Sequence, residues 1–143
     1  MKPGWVTSQD GLLYETKDSG KTWRELDVNG PQSGRVASCF FASNSLGWLV
    51  ERTNDETNVR NTTDGGQHWQ IQYSSKSRLD TVRFLNEQEG WAVGGIMVEN
   101  YVRKSPSSVI HTTDQGKHWT EISDSLSSDV TSIYPVAGNT ACA

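Results

Sequence analysis

The chain has 143 residues, a formal net charge of −4 and 21% charged residues. That length suits one ordinary domain. The 13 Lys and Arg are spread along the chain without a basic run, which excludes a nucleic-acid surface as the main function. No apolar run approaches the ~18 residues that a spanning helix needs, so direct membrane insertion is not expected. Only 34% of the residues are hydrophobic, so the core must be built from few but large side chains, and six Trp fit that description.

The opening, Met1 to Trp5, has no apolar stretch, so no signal peptide is expected in this chain. Trp5–Thr7, Leu12–Thr16 and Trp23–Leu26 predict three strands, the last three of a four-stranded unit over residues 1–29. Val36–Phe41, Trp48–Glu51, Val59–Thr62 and Trp69–Tyr73 predict a full unit over 36–74. Thr81–Leu85, Trp91–Val93, Val109–Thr112 and Trp119–Ile122 predict another over 79–123. Thr131–Tyr134 predicts a first strand with no unit behind it, inside a closing segment and tail over 130–143. No stretch of helical period is long enough to predict a helix.

The Trp residues fall into two series. One follows Gly, in Gly4-Trp5, Gly47-Trp48 and Gly90-Trp91, with the same spacing both times. The other closes a Thr-x-Asp-x-Gly-x-x-Trp box: Thr16 to Trp23, with Asp18 and Gly20; Thr62 to Trp69, with Asp64 and Gly66; and Thr112 to Trp119, with Asp114 and Gly116. Every Trp is a repeat position. A four-stranded unit recurring at this period is the sequence signature of a propeller blade. The fold class read from this is all-β: a β-propeller-type array of three four-stranded blades, half of a six-bladed ring.

The box spans the turn between the third and fourth strands of a unit. Asp suits it because its carboxylate can accept backbone N–H groups of its own turn. Gly two residues later can take positive φ, and Trp opens the fourth strand and folds back over the hairpin. The Gly of the Gly-Trp pair is expected to permit a tight corner, with the Trp between neighbouring sheets. The three Asp are therefore read as turn staples rather than a calcium or catalytic set. His68 and His118 share one box position and are read as turn residues. His111 stands at no metal-ligand spacing from them. Gly20-Lys21-Thr22 lacks the earlier Gly of a phosphate loop, since position 15 is Glu15. Asn61-Thr62-Thr63 is a formal glycosylation sequon inside a repeat. Cys39 and Cys142 make neither a disulfide framework nor a zinc site. No cofactor or metal is expected.

These boxes resemble the Asp-box, or bacterial neuraminidase repeat, Ser/Thr-x-Asp-x-Gly-x-Thr-Trp/Phe. The first copy matches fully, and the other two carry His in place of the second Thr. With Phe84, Gly90-Trp91-Ala92-Val93-Gly94 and Ile110 to Trp119, the fuller pattern resembles the photosystem II stability/assembly factor family of propellers; Phe41, Gly47 to Val50 and Thr62 to Trp69 show it more weakly. The resemblance implies a non-catalytic scaffold that binds a protein partner in the assembly of a membrane complex, in an extracytoplasmic compartment. Complete propellers of that family have about twice as many units as this chain. The Asp-box also occurs in sialidases, which makes a fragment of a sialidase-like glycoside hydrolase, or a carbohydrate-binding propeller, the alternative. The Arg-Ile-Pro motif of the first sialidase arginine is missing, and three units cannot supply a site assembled around a whole ring.

The Trp-to-Asp interval grows from Trp5–Asp18 through Trp48–Asp64 to Trp91–Asp114. The growth lies in the second-to-third-strand loops, Arg52–Asn58 and Gly94–Ser108. The longer loop contains Met97, Tyr101, Arg103 and Lys104. With Arg52 on the same face, Tyr101, Arg103 and Lys104 are the candidate partner contacts. The bland alternative is an extended hairpin without a partner. Three blades would leave two open ends. Either a second copy closes the ring as a homodimer, with Thr131–Tyr134 completing the blade that begins at Trp5, or the segment continues into a longer chain.

Overall fold

The computed structural model describes residues 2–28, 34–95, 98–99, 102–103, 108–122, 130 and 132–136. Among them there is no helix, and the architecture is three antiparallel sheets in series. The first holds β1 (Gly4–Thr7), β2 (Leu13–Thr16) and β3 (Arg24–Leu26) in that order. The second holds β4 (Arg35–Phe41), β5 (Gly47–Arg52), β6 (Thr57–Thr62) and β7 (Gln70–Ser75). In the third, β8 (Thr81–Phe84) and β9 (Gly90–Gly94) are followed by a two-residue ladder of β10 (Val98–Glu99) and β11 (Val102–Arg103). The sheet then resumes with β12 (Ser108–Thr112) and β13 (Thr120–Glu121), in the order β13-β12-β9-β8. Each sheet is an up-and-down meander, as a blade requires.

The core lies between the sheets. Trp48, Val50 and Val59 of the second sheet pack against Leu79, Val82 and Phe84 leading into and along β8. Leu13 and Leu26 of the first sheet pack against Val36 and Leu49 of the second. The second sheet is thus covered on both faces. That explains β5, whose residues Gly47 to Glu51 are all buried: a strand between two sheets reads as a continuous apolar run rather than an alternation.

Most strands begin or end within one or two residues of their expected bounds. The fourth strands start at Arg24, Gln70 and Thr120, one residue after each box Trp, so the Trp precedes the strand instead of opening it. The expected strand Thr131–Tyr134 lies partly outside the described residues. Residue 131 lies outside the described residues, and 132–136 hold only an isolated bridge at Tyr134. Ile133 is nevertheless buried, against Val93 and Val109 of the third sheet.

Candidate functional site

The three boxes share one hydrogen-bond pattern. The hydroxyl of Thr16, Thr62 or Thr112 donates to Oδ1 of Asp18, Asp64 or Asp114 at 2.8–2.9 Å. The same hydroxyl oxygen accepts the N–H of Gly20, Gly66 or Gly116. Oδ1 also accepts the N–H of Thr22, His68 or His118. Oδ2 takes the Thr22 hydroxyl or the Nδ1 of His68 or His118, each at 2.6 Å. Histidine therefore does in the second and third boxes what threonine does in the first. The chain passes through two consecutive positive φ values, at Ser19-Gly20, Gly65-Gly66 and Gln115-Gly116, and this region favours Gly at the second position.

These bonds stabilise the ionised carboxylates. The Thr22 hydroxyl and N–H hold Asp18 down at about 2. The N–H and ring of His118 hold Asp114 at about 2, and those of His68 push Asp64 well below the usual range. A carboxylate this firmly ionised and occupied by its own turn is a poor proton donor.

Each box turn is tied to the turn before the second strand. Gly65 N–H donates to the Ser45 carbonyl and Gln115 N–H to that of Gln88, both at 2.8 Å, and Ser19 N–H reaches the Lys2 carbonyl at 3.3 Å. The two kinds of turn therefore share one face.

Two of the three Gly-Trp pairs form junctions between sheets, while Trp91 stacks on His111 of its own sheet. Trp5 stacks on Phe41 with centroids 3.7 Å apart, and Trp48 stacks on Phe84 at 3.6 Å. The same Phe meets the box Trp of its own sheet edge-on, Phe41 with Trp69 and Phe84 with Trp119. Trp48 also donates its indole N–H to the Gln115 carbonyl in the next box. The reason for Gly differs from the expected tight corner. Gly47 and Gly90 do not take positive φ; instead the ring of Phe41 or Phe84 lies where a Cβ would stand, at 2.6 Å. Gly4 has no such ring over it and would meet only Thr16 Cγ2, at 3.3 Å.

On the opposite face, Arg52 does not stand free. Its Nη1 donates to Asp80 Oδ1 at 2.9 Å, and Arg78 Nε donates to the same oxygen at 2.8 Å. Gly95 N–H donates to Oδ2. Partial burial, with Arg78 and Arg35 nearby, lowers the pKa of Arg52. Tyr101 and Lys104 lie outside the described residues, and Arg103 is placed only as backbone in β11. Asp80 was not singled out in the sequence because its partner Arg52 stands 28 positions earlier, in the preceding sheet.

A second group was missed beside an open cleft of about 520 Å3 lined by Gly34, Asp55, Glu56 and Ile71 among others. Glu51 is buried at its base, and its Oε2 accepts Arg60 Nε at 2.7 Å and Asn58 Nδ2 at 3.2 Å. The hint in the sequence was a carboxylate ending the apolar run Trp48-Leu49-Val50. Among the described residues, no three His, Cys, Asp or Glu side chains converge as a metal site would need. Asn61 is partly buried and its amide donates to the Gly47 carbonyl, so the sequon asparagine is engaged in the sheet. Cys39 is a free thiol pushed up to about 11 by burial, and Cys142 lies outside the described residues.

Comparison with known proteins gives a consistent picture. The family model for "Photosynthesis system II assembly factor YCF48" matches residues 31–141. The photosystem II assembly lipoprotein Ycf48 of Synechococcus sp. (strain CC9902) is 28% identical over 109 residues, covering 73% of this chain and 28% of that protein. A solved structure of YCF48 bound to D1 peptide aligns with a TM-score of 0.65 at 24% identity, over 83% of this chain and 36% of that one. An ancestral GH74 enzyme aligns with a TM-score of 0.59 at 12% identity, over 82% of this chain and 16% of that one. The chain thus spans only a minor part of the length of these relatives.

Proposed function

Because the chain belongs to the photosystem II assembly factor YCF48 family, we propose that it is a non-enzymatic, protein-binding scaffold in the assembly of a membrane protein complex. The observation that carries this reading is the family match over most of a chain folded as a partial propeller. A solved relative holds a D1 peptide, which makes an extended peptide of a membrane-complex subunit the proposed partner class. The surface proposed for it is the face of the second-to-third-strand loops, where two guanidinium groups, Arg52 and Arg78, share one carboxylate. Tyr101, Arg103 and Lys104 belong to the same proposed surface. The Asp-boxes act as braces: their carboxylates are taken up by their own turns, which speaks against a reactive role. The three blades belong to a larger ring, completed by a second copy of the chain or by further blades of a longer one.

Fluorescence anisotropy with a labelled D1 peptide tests the binding role. Saturable binding, weakened by Arg103→Glu with Lys104→Glu, is expected. Absence of binding together with turnover of a fluorogenic sialoside would overturn the reading in favour of a glycosidase.

A further inference from the structure

We propose that the open cleft beside the Thr53–Glu56 turn of the second sheet is a docking site for a basic side chain, arginine above lysine, of an extended segment of a protein partner. The proposal rests on the protein-binding reading above for the source of that side chain, and on the cleft for its chemistry.

The cleft of about 520 Å3 is walled by the second sheet and by Gly34 just before it. That sheet already has a neighbour on each face, so the cleft does not depend on how the ring is completed. Four charged side chains line it: Glu51, Asp55, Glu56 and Arg60. Glu51 is 1% exposed, and it and Arg60 neutralise each other through a 2.7 Å contact. The carboxylates of Asp55 and Glu56 are exposed and, among the described residues, pair with no cation. Two uncompensated negative charges therefore stand over a neutral buried pair. Three further cations, Arg52, Lys76 and Arg78, line a separate smaller hollow on the other side of the turn.

The turn holds the two carboxylates in position. The Thr53 hydroxyl oxygen accepts the N–H groups of Asp55 and Glu56, and the Thr53 N–H and hydroxyl both donate to the Glu56 carbonyl. Charges carried on a fixed turn lose little freedom when they meet a ligand.

The other walls narrow the occupant. Ile71 is the one apolar side chain of the lining and is 50% exposed, a surface on which the aliphatic stem of a basic side chain can lie. Gly34 leaves room for the Glu51 carboxylate, which a Cβ there would strike. A planar guanidinium can bridge two carboxylates through its fork of N–H groups, whereas an ammonium is a point charge. A metal ion does not fit, because among the described residues no three His, Cys, Asp or Glu side chains converge. An anion would face two carboxylates, and the one cation of the lining is already paired. The turn borders both this cleft and the hollow of Arg52 and Arg78, so one extended segment can reach both.

Amide NMR shifts, followed as N-acetylarginine methylamide is added to millimolar concentration, test the site. Saturable shifts at Gly34, Asp55 and Ile71 are expected, with several-fold weaker binding of the uncharged citrulline analogue. Asp55→Asn with Glu56→Gln should abolish the saturation. Glu25→Gln with Glu87→Gln removes the same charge at exposed positions elsewhere and should leave it unchanged. Unchanged amide positions in the rest of the spectrum show that each variant is folded. Shifts that never saturate, that fall elsewhere, or that persist in the Asp55→Asn, Glu56→Gln variant would overturn the proposal; a labelled D1 peptide still bound would then leave the scaffold reading standing. Saturable binding of the arginine probe without binding of the D1 peptide would uphold the cleft as an arginine site and count against that reading of the partner alone.

Discussion

The indole of Trp48 lies flat on the ring of Phe84, 3.6 Å between centroids and 12° between planes, across the junction of the second and third sheets. The two residues stand 36 positions apart in the sequence. Trp48 is fully buried there, and Phe84 is held from its other side by the edge of Trp119. The Trp5, Phe41 and Trp69 trio repeats the arrangement one junction earlier. Repeating contacts between neighbouring units are what stabilise a modular array.

Substituting Gly47 tests the close approach of Phe41. Gly47→Ala places a Cβ inside the ring's contact distance, and overpacking of this kind should cost about 1–3 kcal/mol in urea unfolding. Gly4→Ala, with no ring above it, should cost under about 1 kcal/mol. Adding Phe41→Leu to Gly47→Ala should recover part of the loss.

The boxes predict a fall of stability in acid. Their aspartates have folded-state pKa values below the ordinary 3.8, with Asp18 and Asp114 near 2. A depressed carboxylate contributes stability that is present above 3.8 and is lost as pH falls through the folded value. The urea midpoint should therefore drop between about pH 4 and about pH 2, and Asp114→Asn should flatten that drop.

His118 offers a test of equivalence between repeats. Its Nδ1 sits on Asp114 as the Thr22 hydroxyl sits on Asp18. His118→Thr should leave the thermal midpoint nearly unchanged. His118→Ala removes an exposed hydrogen bond and should cost below about 1 kcal/mol.

Glu51 predicts a larger effect. Removing it by Glu51→Ala strands Arg60, which is mostly buried, and Asn58 with it. Breaking a buried pair from one side costs about 3 kcal/mol or more, measurable by urea unfolding. Arg60→Ala should cost a similar amount, because it strands the carboxylate.

What the sequence made legible was local. The box residues lie within eight positions of one another, and each hydrogen bond in a box joins neighbours, so spacing alone exposes Thr16, Asp18, Gly20 and Thr22 as a unit. The Gly-Trp series was visible for the same reason, yet its physical cause was not. Gly47 is required by Phe41, a tertiary neighbour, and not by its own backbone. The bridging of Arg52 to Asp80 and the burial of Glu51 beside Arg60 depend on where strands meet, which no spacing announces. Of the candidate partner contacts, only Arg52 has a described side chain, and it is already engaged.

The junction between blades is tested most directly by a double-mutant cycle on Trp48→Leu and Phe84→Leu in urea. Stacked aromatic pairs carry about 0.5–1.5 kcal/mol beyond their buried area, so a favourable coupling of that size is the expected result. A coupling indistinguishable from zero, with the two losses simply adding, would contradict the account of the array as blades locked ring on ring.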